Sequence, residues 1–80
     1  MQQRQPDPAL FSTAITRLGL PPQKCIVVED GVLGIQAARA AGAGKVYGIW
    51  AGEEDRAKLA QVTLDRTIHT YKEMGLDDFR

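Results

Sequence analysis

The chain has 80 residues, of which 44% are hydrophobic and 25% are charged, and its ten basic residues balance its ten acidic ones. This length allows one small domain, residues 1–80, and excludes a second. The composition is that of an ordinary globular protein, and the lack of net charge argues against nucleic acid or an anionic membrane as a partner.

The first predicted helix begins at Asp7-Pro8 and runs to Leu18. Asp7 has the N-cap position, and Pro8 has the first helical position, where its missing N–H costs no hydrogen bond. Apolar residues then recur at helical spacing, at Phe11, Ala14, Ile15 and Leu18. Gly19, which is followed shortly by two prolines, predicts a left-handed cap and the end of the helix.

A strand and a second helix are predicted next. Residues 24–29 form a β-branched run without alternation, which is typical of a strand covered on both faces in a parallel sheet. Cys25, the only cysteine, lies in this run and is predicted to be a buried structural thiol. Residues 32–41 favour helix, with Gly42 as the cap. Small side chains would let this helix approach the sheet closely, at Gly34, Ala37, Ala38 and Ala41.

The C-terminal half repeats the pattern. Residues 45–50 are predicted to form a second strand, and residues 53–61 a short helix whose acidic first turn suits the positive end of its dipole. Its inward-facing residues are predicted to be Ala57 with Ala60 or Leu59. Residues 67–70 are a candidate third strand, and residues 71–80 are predicted to be a turn of helix with a frayed end. The alternation of helix and strand predicts an α/β fold with a parallel sheet built from right-handed βαβ units.

Two adjacent acids, Glu29 and Asp30, stand at the C-terminal end of the first predicted strand. Ligands of open parallel sheets bind beyond this edge. Adjacent carboxylates repel each other, and a hard cation such as Mg²⁺ compensates when it is held by them together with water and a substrate phosphate. Gly31 permits a sharp turn, and the following helix N-terminus offers N–H groups to an anion. The alternative is that the two acids only end a strand and cap a helix.

Four segments in chain order carry a resemblance to a known family, namely residues 5–11, 18–22, 25–30 and 34–42. They resemble the C-terminal part of haloacid dehalogenase-like hydrolases, in the branch of phosphoglycolate phosphatase and β-phosphoglucomutase, over about residues 4–74. The resemblance implies a partial Rossmann-like, three-layer core with a short parallel sheet of two or three strands, flanking helices and no cap domain. It also implies Mg²⁺-dependent phosphoryl transfer through an aspartyl-phosphate, acting on a phosphorylated small molecule.

The resemblance assigns roles to individual positions. Glu29 and Asp30 match the acidic pair that binds Mg²⁺ directly or through water. Gln5 occupies the position of a lysine that contacts the nucleophile and the phosphate, so it is a candidate phosphate-binding residue that lacks the positive charge phosphoryl transfer relies on. Gly31 stands where the family usually has serine.

The nucleophile of the family lies in an Asp-x-Asp motif on an earlier strand, and these 80 residues contain no Asp-x-Asp. Asp65 is a superficial likeness, because it leads into a strand instead of following one. The first hypothesis is therefore an incomplete phosphatase-type core that is inactive alone and needs a missing N-terminal half. The alternative is a non-catalytic module that uses an open strand edge to form a homo-oligomer or to dock a partner.

The remaining residues that carry reactive or aromatic groups have ordinary explanations. His69 is predicted to be a surface or partly packed residue, and Tyr47 and Trp50 are predicted to be core or strand-end residues, not a stacking platform for nucleic acid. The N-terminus is polar, and no apolar stretch approaches the ~20 residues needed to span a bilayer. We therefore expect a soluble cytoplasmic protein without nucleic-acid or membrane partners.

Overall fold

The computed structural model describes residues 7–79, which contain three α-helices and three β-strands. In chain order these elements are α1 (Ala9–Leu18), β1 (Ile26–Glu29), α2 (Val32–Ala40), β2 (Lys45–Ile49), α3 (Glu53–Leu59) and β3 (Arg66–Ile68). Short 3₁₀ turns cover Pro22–Lys24, Tyr71–Glu73 and Leu76–Phe79. Within residues 7–79, no helix is long and apolar enough to cross a membrane.

The three strands form one parallel sheet in the order β1-β2-β3. Val27 pairs with Val46, and Glu29 pairs with Gly48, which in turn pairs with Thr67. Because each helix connects neighbouring parallel strands in the same direction across the sheet, right-handed crossovers place α2 and α3 on the same face. The α/β fold with a parallel sheet is confirmed, with three strands.

The start of α1 differs by one residue from the prediction. The helix begins at Ala9, and Pro8 has the N-cap position without a side-chain cap of its own. The carboxylate of Asp7 nevertheless accepts a hydrogen bond from the Ala9 N–H at 2.9 Å. At the other end, Gly19 has a φ of 72° and its N–H donates to the Thr16 carbonyl, as the left-handed cap requires.

β1 is shorter and less covered than predicted. It begins at Ile26 instead of residue 24, because residues 22–24 form a 3₁₀ turn that the Cys25 N–H closes on the Pro22 carbonyl at 3.0 Å. Cys25 is buried, as expected. Within the strand only Val27 is buried, so the expectation of cover on both faces is wrong for the half-buried residues Ile26 and Val28.

The core lies between the sheet and its helices. Its buried members are Val27, Ile35, Ala38, Ala43, Val46 and Leu59. Gly48 is in close contact with this core, since a Cβ there would lie 2.7 Å from Leu64 Cδ1 and 3.0 Å from Leu59 Cδ1. Leu59 is the residue of α3 that faces the core, whereas Ala57 and Ala60 are exposed.

The opposite face of the sheet is covered by the C-terminal segment. Tyr47 and Ile68 are buried on this face. Val46 faces the helices, and since successive side chains of a strand point to opposite faces, Tyr47 points away from them. The predicted helical turn with a frayed end is wrong: the segment forms two 3₁₀ turns instead. The first is closed by a capping box between Thr70 and Glu73.

A buried carboxylate fixes the second of these turns. Asp78 Oδ1 accepts hydrogen bonds from Tyr47 Oη at 2.6 Å and Arg66 Nη1 at 2.7 Å, and its Oδ2 accepts one from the Gly75 N–H at 2.7 Å. The hydrogen bond from Tyr47 is the main cause that lowers the pKa of Asp78 to about 2, with further contributions from Gly75 and Arg66. The same bond raises the pKa of Tyr47. Lys45 also donates to the Asp78 carbonyl at 2.7 Å.

Candidate functional site

The two adjacent acids lie at the carboxyl edge of the sheet. Glu29 is the last residue of β1, Asp30 follows it, and α2 begins two residues later at Val32. Gly31 has the N-cap position of α2 in an extended conformation, and its carbonyl accepts the first helical hydrogen bond from Ile35 at 3.0 Å. The strand therefore delivers both carboxylates to the edge where the loops of a parallel sheet bind ligands.

The Glu29 side chain packs against the first turn of α2. A Cβ added at Gly34 would overlap Oε1 and Cδ of Glu29. Gly34 was expected to let α2 approach the sheet, and its closest neighbour is this acidic side chain. The missing side chain at position 34 thus provides the space that the Glu29 carboxylate occupies.

Neither carboxylate is engaged by another residue of the described chain. No hydrogen bond or ion pair joins Glu29 or Asp30 to any side chain within residues 7–79, and Asp30 is exposed. Both can therefore offer oxygen atoms to a cation. Mg²⁺ takes one or two carboxylates and completes its six ligands with water and phosphate oxygens, so this donor set fits part of its coordination sphere.

The donor set is small. No group of three or more His, Cys, Asp or Glu side chains within residues 7–79 could hold a metal ion together. The candidate phosphate-binding residue, Gln5, lies outside the described residues. A cation at Glu29 and Asp30 would therefore depend on water, phosphate or another polypeptide for most of its ligands.

Asp65, the superficial likeness to an Asp-x-Asp motif, has a structural role. Its Oδ2 accepts a hydrogen bond from the Val46 N–H at 2.7 Å and lies 3.3 Å from Nη2 of Arg39. It precedes β3 at the amino edge of the sheet, away from the acidic pair. This position agrees with its rejection as a nucleophile.

An aromatic pair at the carboxyl edge was not predicted. The rings of Trp50 and His69 stack with centroids 4.1 Å apart, and His69 Nδ1 lies 2.7 Å from the Trp50 carbonyl oxygen. Because a carbonyl only accepts hydrogen bonds, Nδ1 carries the proton. The guanidinium of Arg56 lies 5.2 Å from the Trp50 ring centroid. Trp50 directly follows Ile49 and His69 directly follows Ile68, and these two isoleucines pair in the sheet. The stack could not be predicted because the sequence alone does not give this register.

Glu73 holds the backbone next to this pair. Its Oε2 accepts hydrogen bonds from the N–H groups of Thr70 at 2.9 Å and His69 at 2.6 Å. These two bonds, that of Thr70 first, lower the pKa of Glu73. Glu73 is therefore an ionised structural group that orders the end of β3.

A cleft of the described residues lies away from the acids. A cleft of about 430 Å³ opens at the amino edge of the sheet. It is lined by Leu20, Gln23, Lys24, Cys25, Ile26, Lys45, Asp78 and Phe79. Neither Glu29 nor Asp30 lines this cleft; Glu29 is half-buried and Asp30 is exposed.

Comparison with known proteins points to one family. Residues 2–42 match the family model of haloacid dehalogenase-like hydrolases. The chain is similar to a CBBY-like protein of Arabidopsis thaliana (51% identity over 39 residues, 49% of this chain and 12% of that protein). It is also similar to a phosphoglycolate phosphatase of Xylella fastidiosa (42% identity over 50 residues, 62% of this chain and 22% of that protein).

A solved structure resembles most of the chain. It is a HAD family hydrolase from Deinococcus radiodurans R1 with bound phosphate and sodium, and it superposes with a TM-score of 0.69 at 31% identity. The match covers 86% of this chain but 31% of that protein. The chain thus spans less than a third of the length of each of these three proteins.

Proposed function

This chain belongs to the haloacid dehalogenase-like hydrolases, and on that premise we propose that its carboxyl edge is the cation-binding part of a phosphoryl-transfer site. Glu29 and Asp30 are the proposed ligands of Mg²⁺. The observation that carries the proposal is the position of two unengaged carboxylates at the end of a parallel strand, where the fold binds ligands. The resemblance to a hydrolase that holds phosphate together with a cation supports it.

The chemistry of this site divides between the cation and the chain. Bound Mg²⁺ would neutralise charge on the oxygens of a phosphate. The chain itself contributes two negative oxygen donors, one of which is positioned by the space over Gly34. The proposed substrate class, taken from the family resemblance, is a phosphorylated small molecule. The acidic edge would attract its phosphate only when a cation is present.

The attacking group must come from elsewhere. The 80 residues contain no Asp-x-Asp, and the carboxylates of Asp65 and Asp78 are engaged in structural hydrogen bonds. We therefore expect no phosphatase activity from this chain alone. The proposed partner in catalysis is an N-terminal half of a haloacid dehalogenase-like core, which would supply the nucleophile from the strand beside β1.

The test is a titration of the ¹⁵N-labelled chain with MgCl₂, followed by NMR. We expect millimolar binding, with amide shifts concentrated at Glu29, Asp30 and Gly31, because few protein ligands are present. Asp30→Asn should remove these shifts. Glu54→Gln, which neutralises an exposed acid in the first turn of α3, should leave them unchanged.

One result would count against the cation site, and another against the expected inactivity of the chain. Shifts spread evenly over all acidic surface residues would mean that Mg²⁺ only screens charge. Hydrolysis of an aryl phosphate by the chain alone, abolished by Asp30→Asn, would show that the attacking group is present after all. A parallel titration with NaCl at equal ionic strength separates specific binding from screening.

A further inference from the structure

The aromatic pair at the carboxyl edge joins the only tryptophan of the chain to its only histidine. The rings of Trp50 and His69 stack with centroids 4.1 Å apart and planes inclined by 26°. The guanidinium carbon of Arg56 lies 5.2 Å from the centroid of the same indole. Trp50 therefore contacts one permanent cation and one side chain of the type that becomes a cation on taking up a proton.

The imidazole is held in place by its hydrogen bond as well as by the stack. Nδ1 lies 2.7 Å from the Trp50 carbonyl oxygen and donates its proton to it. The backbone is fixed at the same point, because the His69 N–H donates to Glu73 Oε2 at 2.6 Å and the Trp50 N–H donates to the Ile68 carbonyl at 3.0 Å. Since protonation adds a hydrogen at Nε2, the bond from Nδ1 stays intact. His69 consequently remains on the ring when it becomes charged.

Arg56 is attached to the ring less firmly. Its side chain is 61% exposed, and Nη1 lies 3.8 Å from Oε1 of Glu53, whose side chain is 82% exposed. Exposed ion pairs of this kind contribute little to stability, and a cation–π contact at an exposed site is also weak. Arg56 can therefore leave the indole at a small cost in free energy.

Charged groups reach the imidazole from the elements around it. From α3, the two ring contacts put the Arg56 guanidinium no more than about 10 Å from the imidazole, which is one Debye length at 0.1 M salt. From the 3₁₀ turn Tyr71–Glu73, the carboxylate of Glu73 lies next to the His69 backbone. From β3, Arg66 donates to the Glu73 carbonyl at 3.0 Å. Glu73 and the indole face thus favour a proton on His69, whereas Arg56 opposes it.

From this arrangement we infer that the indole of Trp50 exchanges its cation when His69 is protonated. With neutral His69, the guanidinium of Arg56 lies on the ring. With charged His69, the fixed imidazolium draws on the same π-electron density and repels the guanidinium, so Arg56 moves into solvent. Arg56 belongs to the first turns of α3, which follows the carboxyl end of β2. Acidification thus releases a cationic side chain at the edge where parallel sheets bind ligands, and this edge becomes better able to bind anions.

The single tryptophan and the single histidine let the exchange be followed without labels at other sites. Trp50 fluorescence and the NMR signals of the imidazole C–H groups are measured in the 80-residue chain from pH 8 to pH 5. We expect the emission to fall along the same curve on which the imidazole signals shift, because a charged imidazole quenches an indole that it contacts. His69→Gln keeps an N–H donor for the Trp50 carbonyl and should make the emission independent of pH.

A second measurement follows Arg56 itself. Its side-chain NMR signals should carry a ring-current shift from the indole at pH 8 and lose it at pH 5. Arg17, in the last turn of α1, is the control cation, and its signals should not change. In His69→Gln, the ring-current shift of Arg56 should persist at both pH values, because no imidazolium forms there.

Linkage supplies a reciprocal test. If charged His69 displaces Arg56, then removal of Arg56 must make His69 easier to protonate. The midpoint of the fluorescence curve should therefore move to higher pH in Arg56→Gln, by about 0.3–1 pH unit. It should move by less in Lys58→Gln, which removes another exposed charge of α3. Circular dichroism at both pH values confirms that each variant is folded.

Three results would each overturn the inference. The first is Trp50 emission that does not change between pH 8 and pH 5. The second is a ring-current shift on Arg56 that persists at pH 5, or one that is lost in His69→Gln as well. The third is a midpoint that Arg56→Gln leaves unchanged or moves no further than Lys58→Gln does, since the two cations would then not be coupled through the ring.

Discussion

The substitution Gly34→Ala separates the stability of the fold from the position of the Glu29 carboxylate. Gly34 is the third residue of α2, and a Cβ at this position overlaps the outer atoms of the Glu29 side chain. These atoms belong to the flexible end of the chain and not to the backbone. Glu29 can therefore move aside, and the helix need not shift.

The magnitudes predict a small net effect on stability. Alanine is favoured over glycine in a helix by up to about 1 kcal/mol, and less in the first turn. Forcing Glu29 off its preferred rotamer costs about 0.5–1.5 kcal/mol, and a change to another staggered rotamer costs less. The free energy of unfolding should thus stay within about 1 kcal/mol of that of the unmodified chain, a change in Tm of at most ~4–8 °C for a domain of this size.

The effect on Mg²⁺ should be larger, because the displaced carboxylate is one of only two proposed ligands. We expect the affinity to fall about tenfold or more, measured by NMR titration. Gly52→Ala is the control, since a Cβ there meets no atom within 4 Å and lies at the start of α3. In the double variant with Glu29→Gln, Gly34→Ala should cause no further loss, because its effect acts through Glu29. Unchanged Mg²⁺ affinity in Gly34→Ala, or unfolding of that variant, would refute this reasoning.

Two further predictions concern the fold. The pKa of Asp78 is held at about 2, below its ordinary value. At pH values above the ordinary pKa of an aspartate, the ionised Asp78 therefore stabilises the folded state. This stabilisation is lost as the pH falls toward 2. Asp78→Asn should remove that part of the acid dependence in circular-dichroism melts, and an unchanged pH profile would contradict the assignment. Leu59→Ala, at a side chain only 2% exposed, should lower the free energy of unfolding by about 2–5 kcal/mol. Leu33→Ala, at an exposed position of α2, should change it by less than about 0.5 kcal/mol, and equal effects of the two would show that the core is placed wrongly.

Local signals in the sequence were sufficient for the order of the helices and strands and for the location of the acids. Gly19 ends α1 in a left-handed conformation, which glycine adopts readily, so the residue type itself predicts the end of the helix. The junction from an apolar run to Glu29 and Asp30, followed by glycine, marks the end of a strand. Both features depend on residues that are neighbours in the chain.

The unpredicted features depend on residues that are distant in the chain. Asp78 joins Tyr47 and Arg66 across separations of 31 and 12 residues, so nothing in its local sequence marks it as buried. The stack of Trp50 on His69 requires the register of β2 and β3. A short polar tail with two aspartates predicts a frayed end as long as its partners on the sheet are unknown.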